Sequence, residues 1–306
     1  MITNYYKTQS DTELTVLTES KSGVWIHSIS PTEEELAHLV SVYGIDDAII
    51  EDIKDFFEVP RFEQEGSSAY FFARYPYDVK DLDIDTAPIL IILGETFLIT
   101  IAEQEVPFLN PFMQGKRSFS TTHKTGLFLQ FLSELMTTYE RKLTHTRKMV
   151  SRDMGRVRNI RARDIQRLVF FEQELNETIS ALVPTNEWLK QLTKGNYIQM
   201  FSEDRELLED LLIAYNQLID SAKSILKTIQ NIRGANESIL TQNLNSTIRL
   251  LTGLTIVLTI PTLISSLFGM NVVIPFRDNP HGFWIVLVII TVAMAFTVYF
   301  LRNKWL

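Results

Sequence analysis

The stretch LLTGLTIVLTIPTLISSLFG, Leu250 to Gly269, contains no ionisable side chain. Its length meets the ~20 residues an α-helix needs to cross a hydrocarbon core ~30 Å thick. A second uncharged run, FWIVLVIITVAMAFTVYFL, Phe283 to Leu301, follows after a short connection. Buried helices of a large soluble core can share this composition, but two adjacent runs confined to the C-terminal end read as a membrane hairpin. The expected parts of 250–306 are a first span at about 250–269, an outside connection at 270–282, a second span at about 283–301 and a short tail.

Upstream of the first run, Leu208, Leu211, Tyr215, Leu218, Ala222, Ile225, Ile229, Ile232, Asn236 and Ile239 alternate spacings of three and four, a sustained heptad seam. No proline intervenes before Pro261. One helix of about 65 residues, roughly 100 Å long, can therefore run from Glu203 into the membrane. Its soluble part, 203–249, is a stalk. The seam packs either against the chain's own helices between Lys124 and Leu192 or against copies of itself around a symmetry axis; the pattern serves both.

Inside the first span, Thr252, Thr255, Thr259, Thr262 and Ser266 recur at spacings of three and four, so five hydroxyls share one face. Such residues also glue helices together in lipid. A stripe of neutral oxygens continuous with an oligomerisation seam is, however, what a water-filled central pore requires. Pro261 within the stripe weakens the helix locally, which is tolerable where freed carbonyls face water or other helices.

Residues 1–121 read as an α/β domain. ELTVLT, GVWIHSI, AYFFARY, APILIIL and TFLITI are β-branched and aromatic. Ser30-Pro31-Thr32-Glu33 offers a capping-box start, with Ser30 as cap, for a helix through Val42. From Lys124 strand signals vanish, and 122–202 reads as helical.

The first residues, MITNYYKTQS, lack the pattern of a secretory signal. The C-terminal RNKWL carries Arg302 and Lys304, whereas the connection balances Arg277 against Asp278, so both termini are expected in the cytoplasm and the hairpin in the cell (inner) membrane. Absence of cysteine excludes disulfides and thiolate metal sites. A net charge of -8 argues against a nucleic-acid partner and suits cations. Ten basic residues against two acidic ones between Arg141 and Arg167 fit neutralisation of the acidic helices that follow better than nucleic-acid binding. No phosphate-binding glycine loop, dinucleotide fingerprint or HExxH spacing occurs, so neither catalysis nor an organic cofactor is expected.

With these residues in view, the chain resembles the CorA family of divalent-cation channels. Gly269-Met270-Asn271 matches that family's signature at the end of the first of two C-terminal spans, and a basic end follows the second. Tyr43-Gly44-Ile45, Glu51-Asp52-Ile53 and Pro60-Arg61-Phe62-Glu63 look like its cytoplasmic α/β segment. The resemblance implies a funnel-shaped homopentamer with the first spans lining the pore. It implies transport of hydrated Mg2+, with Co2+ or Ni2+ also admitted.

Carried over position by position, the resemblance makes Gly269, Met270 and Asn271 the outer selectivity ring. Ser266, Thr262, Thr259 and Thr255 then line the lumen, Leu251 and Ile248 form an apolar constriction, and Asn245 forms an inner polar ring. It places Asp210 at a regulatory Mg2+ site, with a partner from Asp81, Asp83 or Asp85; a solvated acidic face is the other reading of those residues and of Glu203, Asp204, Glu206 and Glu209. Two departures stand out: Asp278 is the only carboxylate in the outer connection, and Gly234 replaces an acidic stalk residue of some relatives. A zinc-transporting branch of the superfamily and a non-conducting membrane-anchored sensor or scaffold are the alternative functions.

Overall fold

The structure is a computed structural model that describes residues 1–77, 86–154, 162–195, 197–276 and 279–304. Seven strands form one mixed sheet: β1 (Ile2–Tyr6), β2 (Thr15–Leu17), β3 (Val24–Ile29), β4 (Phe62–Glu65), β5 (Ser68–Pro76), β6 (Thr86–Leu93) and β7 (Phe97–Ala102). Their order is β2-β1-β3-β7-β6-β5-β4, and among the described residues only β3 and β7 pair in parallel. The five strand-like runs in the sequence correspond to β2, β3, β5, β6 and β7. Two more strands, β1 and β4, pair beside them.

Because successive strand residues face opposite sides, the sheet buries two separate clusters. Val24, Ile26, Tyr70, Phe72, Leu90 and Ile92 meet α1 (Glu33–Tyr43) and α2 (Asp47–Glu51) on one face. Trp25, Phe71, Ala73, Ile89 and Ile91 meet the long helices on the other. These are α4 (Lys124–Met154), α5 (Ala162–Lys194) and the first part of α6 (Ser202–Phe268); the short α3 (Asn110–Met113) precedes them.

The start of α1 corrects the expected cap. Thr32, not Ser30, is the N-cap: its hydroxyl accepts from Glu35 N, and Glu35 accepts from Thr32 N, a complete capping box two residues later. Ser30 instead prolongs the β3–β7 pairing, its N–H donating to Ala102 O and its hydroxyl to Glu103 O, with φ at +43°. The helix ends on Gly44 at φ +63°, a left-handed cap that glycine adopts without strain.

Arg61 gathers the two acidic motifs noted in the sequence. Its guanidinium pairs with Asp52 at 2.6 Å and with Glu58 and Glu63, and lies 4.0 Å over the Phe72 ring. Arg74 is buried; it donates to the carbonyls of Phe56, Glu58 and Thr86 and so ties the segment before β4 to the sheet. Burial holds the Arg74 guanidinium below its ordinary pKa.

By contacts the chain forms two units, Met1–Ile232 and Arg233–Leu306. The seam on α6 resolves accordingly. Leu208, Leu211, Tyr215, Leu218, Ala222, Ile225, Ile229 and Ile232 are buried within the first unit against the chain's own helices. Asn236 and Ile239 are only half-buried.

Candidate functional site

α6 runs 67 residues without interruption, through Pro261, and reaches the apolar segment directly. α7 (Gly282–Lys304) follows. Both are long and apolar enough to cross a membrane. Their most apolar windows are 0% and 6% buried within the chain, which separates them from core helices of a soluble protein.

Each helix is partly covered along one face: Gly253, Val257, Ile260, Ile264 and Phe268 on α6, and Ile285, Val286, Ile290, Ala293, Met294 and Thr297 on α7, where Leu301 is buried. Leu301 faces Gly253: a Cβ added there would make an ordinary contact with its Cδ1, at 3.9 Å. At ~100° per residue, Thr255, Thr259, Thr262 and Ser266 project on nearly the opposite side of α6, where all four are exposed. Thr252 is half-covered.

The hydroxyl chemistry of that stripe is directional. Thr255 donates to Leu251 O at 2.9 Å, Thr259 to Thr255 O at 2.7 Å and Thr262 to Leu258 O at 3.0 Å. Each hydroxyl proton is thus spent within the helix, and the oxygen is left with lone pairs to offer as an acceptor. Pro261 has no N–H, so the Val257 carbonyl four residues earlier loses its helical donor. Further along α6, Asn245, Ile248 and Leu251 are also exposed.

At the other end the helix closes on Gly269, whose N–H donates to Ser265 O at 3.0 Å. A Cβ there would come within 3.2 Å of that carbonyl oxygen, so close approach of the backbone, with no left-handed φ, makes glycine useful here. Met270 is 52% exposed and Asn271 is exposed beside it.

Of the sensor candidates, Asp210 is exposed on α6. Asp81, Asp83 and Asp85 lie outside the described residues, so their distance from Asp210 is not described. Glu203, Glu206 and Glu209 are exposed, whereas Asp204 is buried and structural. Asp204 Oδ2 accepts from Phe201 N at 2.9 Å and from His123 Nε2 at 3.0 Å, linking the start of α6 to that of α4. Sequence spacing carries no trace of this 81-residue pairing. Among the described residues, no three His, Asp or Glu side chains cluster as a metal site within the single chain.

The family described as CorA-like Mg2+ transporter protein matches residues 20–303. The chain belongs to the CorA family. It is 25% identical over 301 residues to the cobalt/magnesium transport protein CorA of Methanocaldococcus jannaschii, covering 92% of this chain and 91% of that one. It is 20% identical over 309 residues to the magnesium transport protein CorA of Escherichia coli strain K12, covering 93% and 92%. The solved structure of the complete M. jannaschii CorA magnesium transporter superposes over 100% of this chain and 99% of its own, with a TM-score of 0.88 at 21% identity. Full-length CmaX follows the same fold at a TM-score of 0.79 and 17% identity, covering 98% and 96%. The fold is thus that of a complete CorA protein: an α/β domain, a long helix and two C-terminal apolar helices. Membership places the chain among membrane transport proteins rather than enzymes.

Proposed function

We propose that the chain assembles as a homopentamer that conducts hydrated Mg2+, and also Co2+ or Ni2+, along the hydroxyl face of α6. The observation that carries this reading is the placement of that face. It lies opposite the point where Gly253 faces Leu301, is exposed, has the protons of Thr255, Thr259 and Thr262 turned inward, and leads toward Asn271. Oxygens that only accept suit an ion that keeps its waters, because the water hydrogens of a hydrated cation point outward. Mg2+ holds those waters tightly in near-octahedral geometry. Neutral carboxamides at Asn271 hydrogen-bond the hydrated ion without trapping it, and Ile248 and Leu251 form an apolar constriction that closes by dewetting. Asn245 makes the inner polar ring. The relatives named for cobalt and magnesium transport support the ion class.

Flux into liposomes of the purified full-length protein, measured in turn with Mg2+, Co2+, Ni2+ and Zn2+, tests the proposal. Zn2+ moving in preference to Mg2+ would place the chain in a zinc-transporting branch. No flux of any ion, from correctly assembled protein, would leave a non-conducting sensor.

Thr262→Val removes one hydroxyl ring from the conduction path at nearly constant volume, and a several-fold drop in Mg2+ flux is expected at about one lost hydrogen bond per contact. Thr291→Val on α7 removes an equally satisfied hydroxyl, which donates to Leu287 O, and should leave flux unchanged. Equal effects of the two would remove the lumen from this face of α6.

Cytoplasmic Mg2+ would regulate the channel through Asp210. Asp210→Ala is then expected to conduct at Mg2+ concentrations that silence the unmodified protein, read as a rightward shift of the inhibition curve in liposomes. An unshifted curve places the sensor elsewhere. Both termini belong in the cytoplasm, so a C-terminal tag should survive protease added to intact cells; its cleavage would reverse the topology.

A further inference from the structure

Where the β6–β7 turn meets the starts of α4 and α6, wholly within the unit Met1–Ile232, lies a cavity of about 1040 Å3. Separate stretches of sequence wall it, and hydrogen bonds tie them together. The Gly23 N–H donates to Thr96 O at 2.6 Å, joining the entry to β3 to the β6–β7 turn. Lys124 Nζ donates to Gly94 O at 2.8 Å and to Glu95 O, joining that turn to α4. Thr125 Oγ1 donates to Gln199 O at 2.8 Å, joining α4 to the segment before α6. Braced in this way, the cavity is preformed, and its size suits a small organic molecule better than a single ion.

The lining has two characters. Ala69, Leu93, Ile198 and Met200 supply apolar surface, and the rings of Tyr197 and Phe201 are 41% and 70% exposed. Edge-to-face contacts hold both rings in place, Tyr197 against Phe62 at 5.1 Å and Phe201 against His123 at 5.2 Å. Lys124 and Arg205 supply positive charge. The Lys124 amine is half-buried and gives both of its described hydrogen bonds to neutral carbonyls; burial holds it below its ordinary pKa, against the opposing pull of Glu95. Arg205 is exposed, and among the described residues its guanidinium has no carboxylate within ion-pair distance. His123, also on the wall, is already taken up by Asp204 at 3.0 Å. Among the described lining residues Glu95 is the only carboxylate, and it forms no ion pair with Lys124. A half-buried charge without an opposite one is costly, so the cavity is short of negative charge.

We propose that this cavity binds a nucleoside polyphosphate, with Lys124 and Arg205 on the phosphates and the base against the ring of Phe201. Guanidinium groups grip phosphate oxygens bidentately, and an ammonium serves as a point charge beside them. Any base can stack on an exposed aromatic ring, because every base has a π-face. A bare phosphate would satisfy the cations but leave the rings and the apolar wall wet. An uncharged nucleoside would cover the rings and leave the cations unpaired.

The inference goes beyond the transport reading, and its test reads binding alone. Full-length protein in detergent is titrated calorimetrically with ATP, tripolyphosphate and adenosine, in EDTA so that no divalent cation bound elsewhere contributes. Saturable binding of ATP is expected, about tenfold or more tighter than that of tripolyphosphate or adenosine. Arg205→Gln should weaken ATP binding by about tenfold or more, the loss of a charge-assisted contact. Phe201→Ala should weaken ATP by about fivefold or more and leave tripolyphosphate unchanged. Lys227→Gln, on α6 outside the cavity, should change nothing.

Lys124→Gln also cuts the tie between the β6–β7 turn and α4, so the test rests on the other two variants. Their side chains are exposed, and their melting midpoints without ligand should stay at that of the unmodified protein. Absence of saturable ATP binding at millimolar concentration would overturn the site. So would ATP affinity undiminished in both Arg205→Gln and Phe201→Ala. Tripolyphosphate binding as tightly as ATP would mean an unselective anion site and overturn it as well.

Discussion

Replacing Asn271 by alanine is expected to lower Mg2+ flux by roughly 30- to 150-fold while leaving the oligomer assembled. The carboxamide stands exposed past the end of α6 at Phe268, so its loss removes no core packing. What it removes is a ring of acceptors at the mouth of the proposed pore. If two or three carboxamides bond the waters of one ion together, at about 1 kcal/mol each, the barrier to entry rises by ~2–3 kcal/mol, and every ~1.36 kcal/mol is tenfold in rate. Asn271→Asp separates selection from attraction. Charged oxygens hold a divalent ion more firmly, so flux should saturate at lower Mg2+ and reach a lower maximum, because conduction requires release as well as capture. Liposome flux against Mg2+ concentration measures both variants. Normal conduction by the alanine variant would move selection away from this ring.

How far the sequence could be read depended on whether a feature is local. The two spans, the continuity of α6 and the strands of the buried sheet were legible because length, hydropathy and β-branched content act over a few turns or fewer. The heptad seam was not decidable: packing on one's own helices and packing on copies use the same period, and only the burial of Leu208 to Ile232 against α4, α5 and the sheet separates them. Ser30 and Thr32 head overlapping capping boxes. A long-range interaction, the bond from Ser30 N to Ala102 O, chose the second. β1 carries no such signal, because ITNYY has no clean alternation; it is a strand through pairing with β2 and β3. In the candidate site, the spacing of the hydroxyls gave their common face, but their position opposite α7 depends on where Gly253 meets Leu301, a contact spanning 48 residues of sequence.

The largest expected loss of stability is at Phe71. Its ring is fully buried on β5, with centroids 5.0 Å from Phe62, 4.4 Å from Phe128 on α4 and 5.3 Å from Trp188 on α5. One side chain thereby couples the sheet to two of the three helices that cover this face. Truncation to alanine leaves a cavity that rings on three separate elements cannot all move to fill, so a cost of about 3–5 kcal/mol is expected. Against a typical total of ~5–15 kcal/mol that is a large share. For a unit the size of Met1–Ile232, it corresponds to a fall in Tm of about 6–20 °C. Trp25 and Trp188 lie in the same buried cluster and report its melting by fluorescence. Val16→Ala, on the exposed edge strand β2, should shift the midpoint by no more than about 2 °C. α6 carries Asp210 and is held to this core through Leu208 and Leu211 on either side of it. If Mg2+ at Asp210 inhibits transport, as proposed, Phe71→Ala should also blur that inhibition at temperatures where the membrane helices still hold. A midpoint that does not move would mean that the sheet and the long helices melt independently, and the stalk would then have no rigid base through which Asp210 could act.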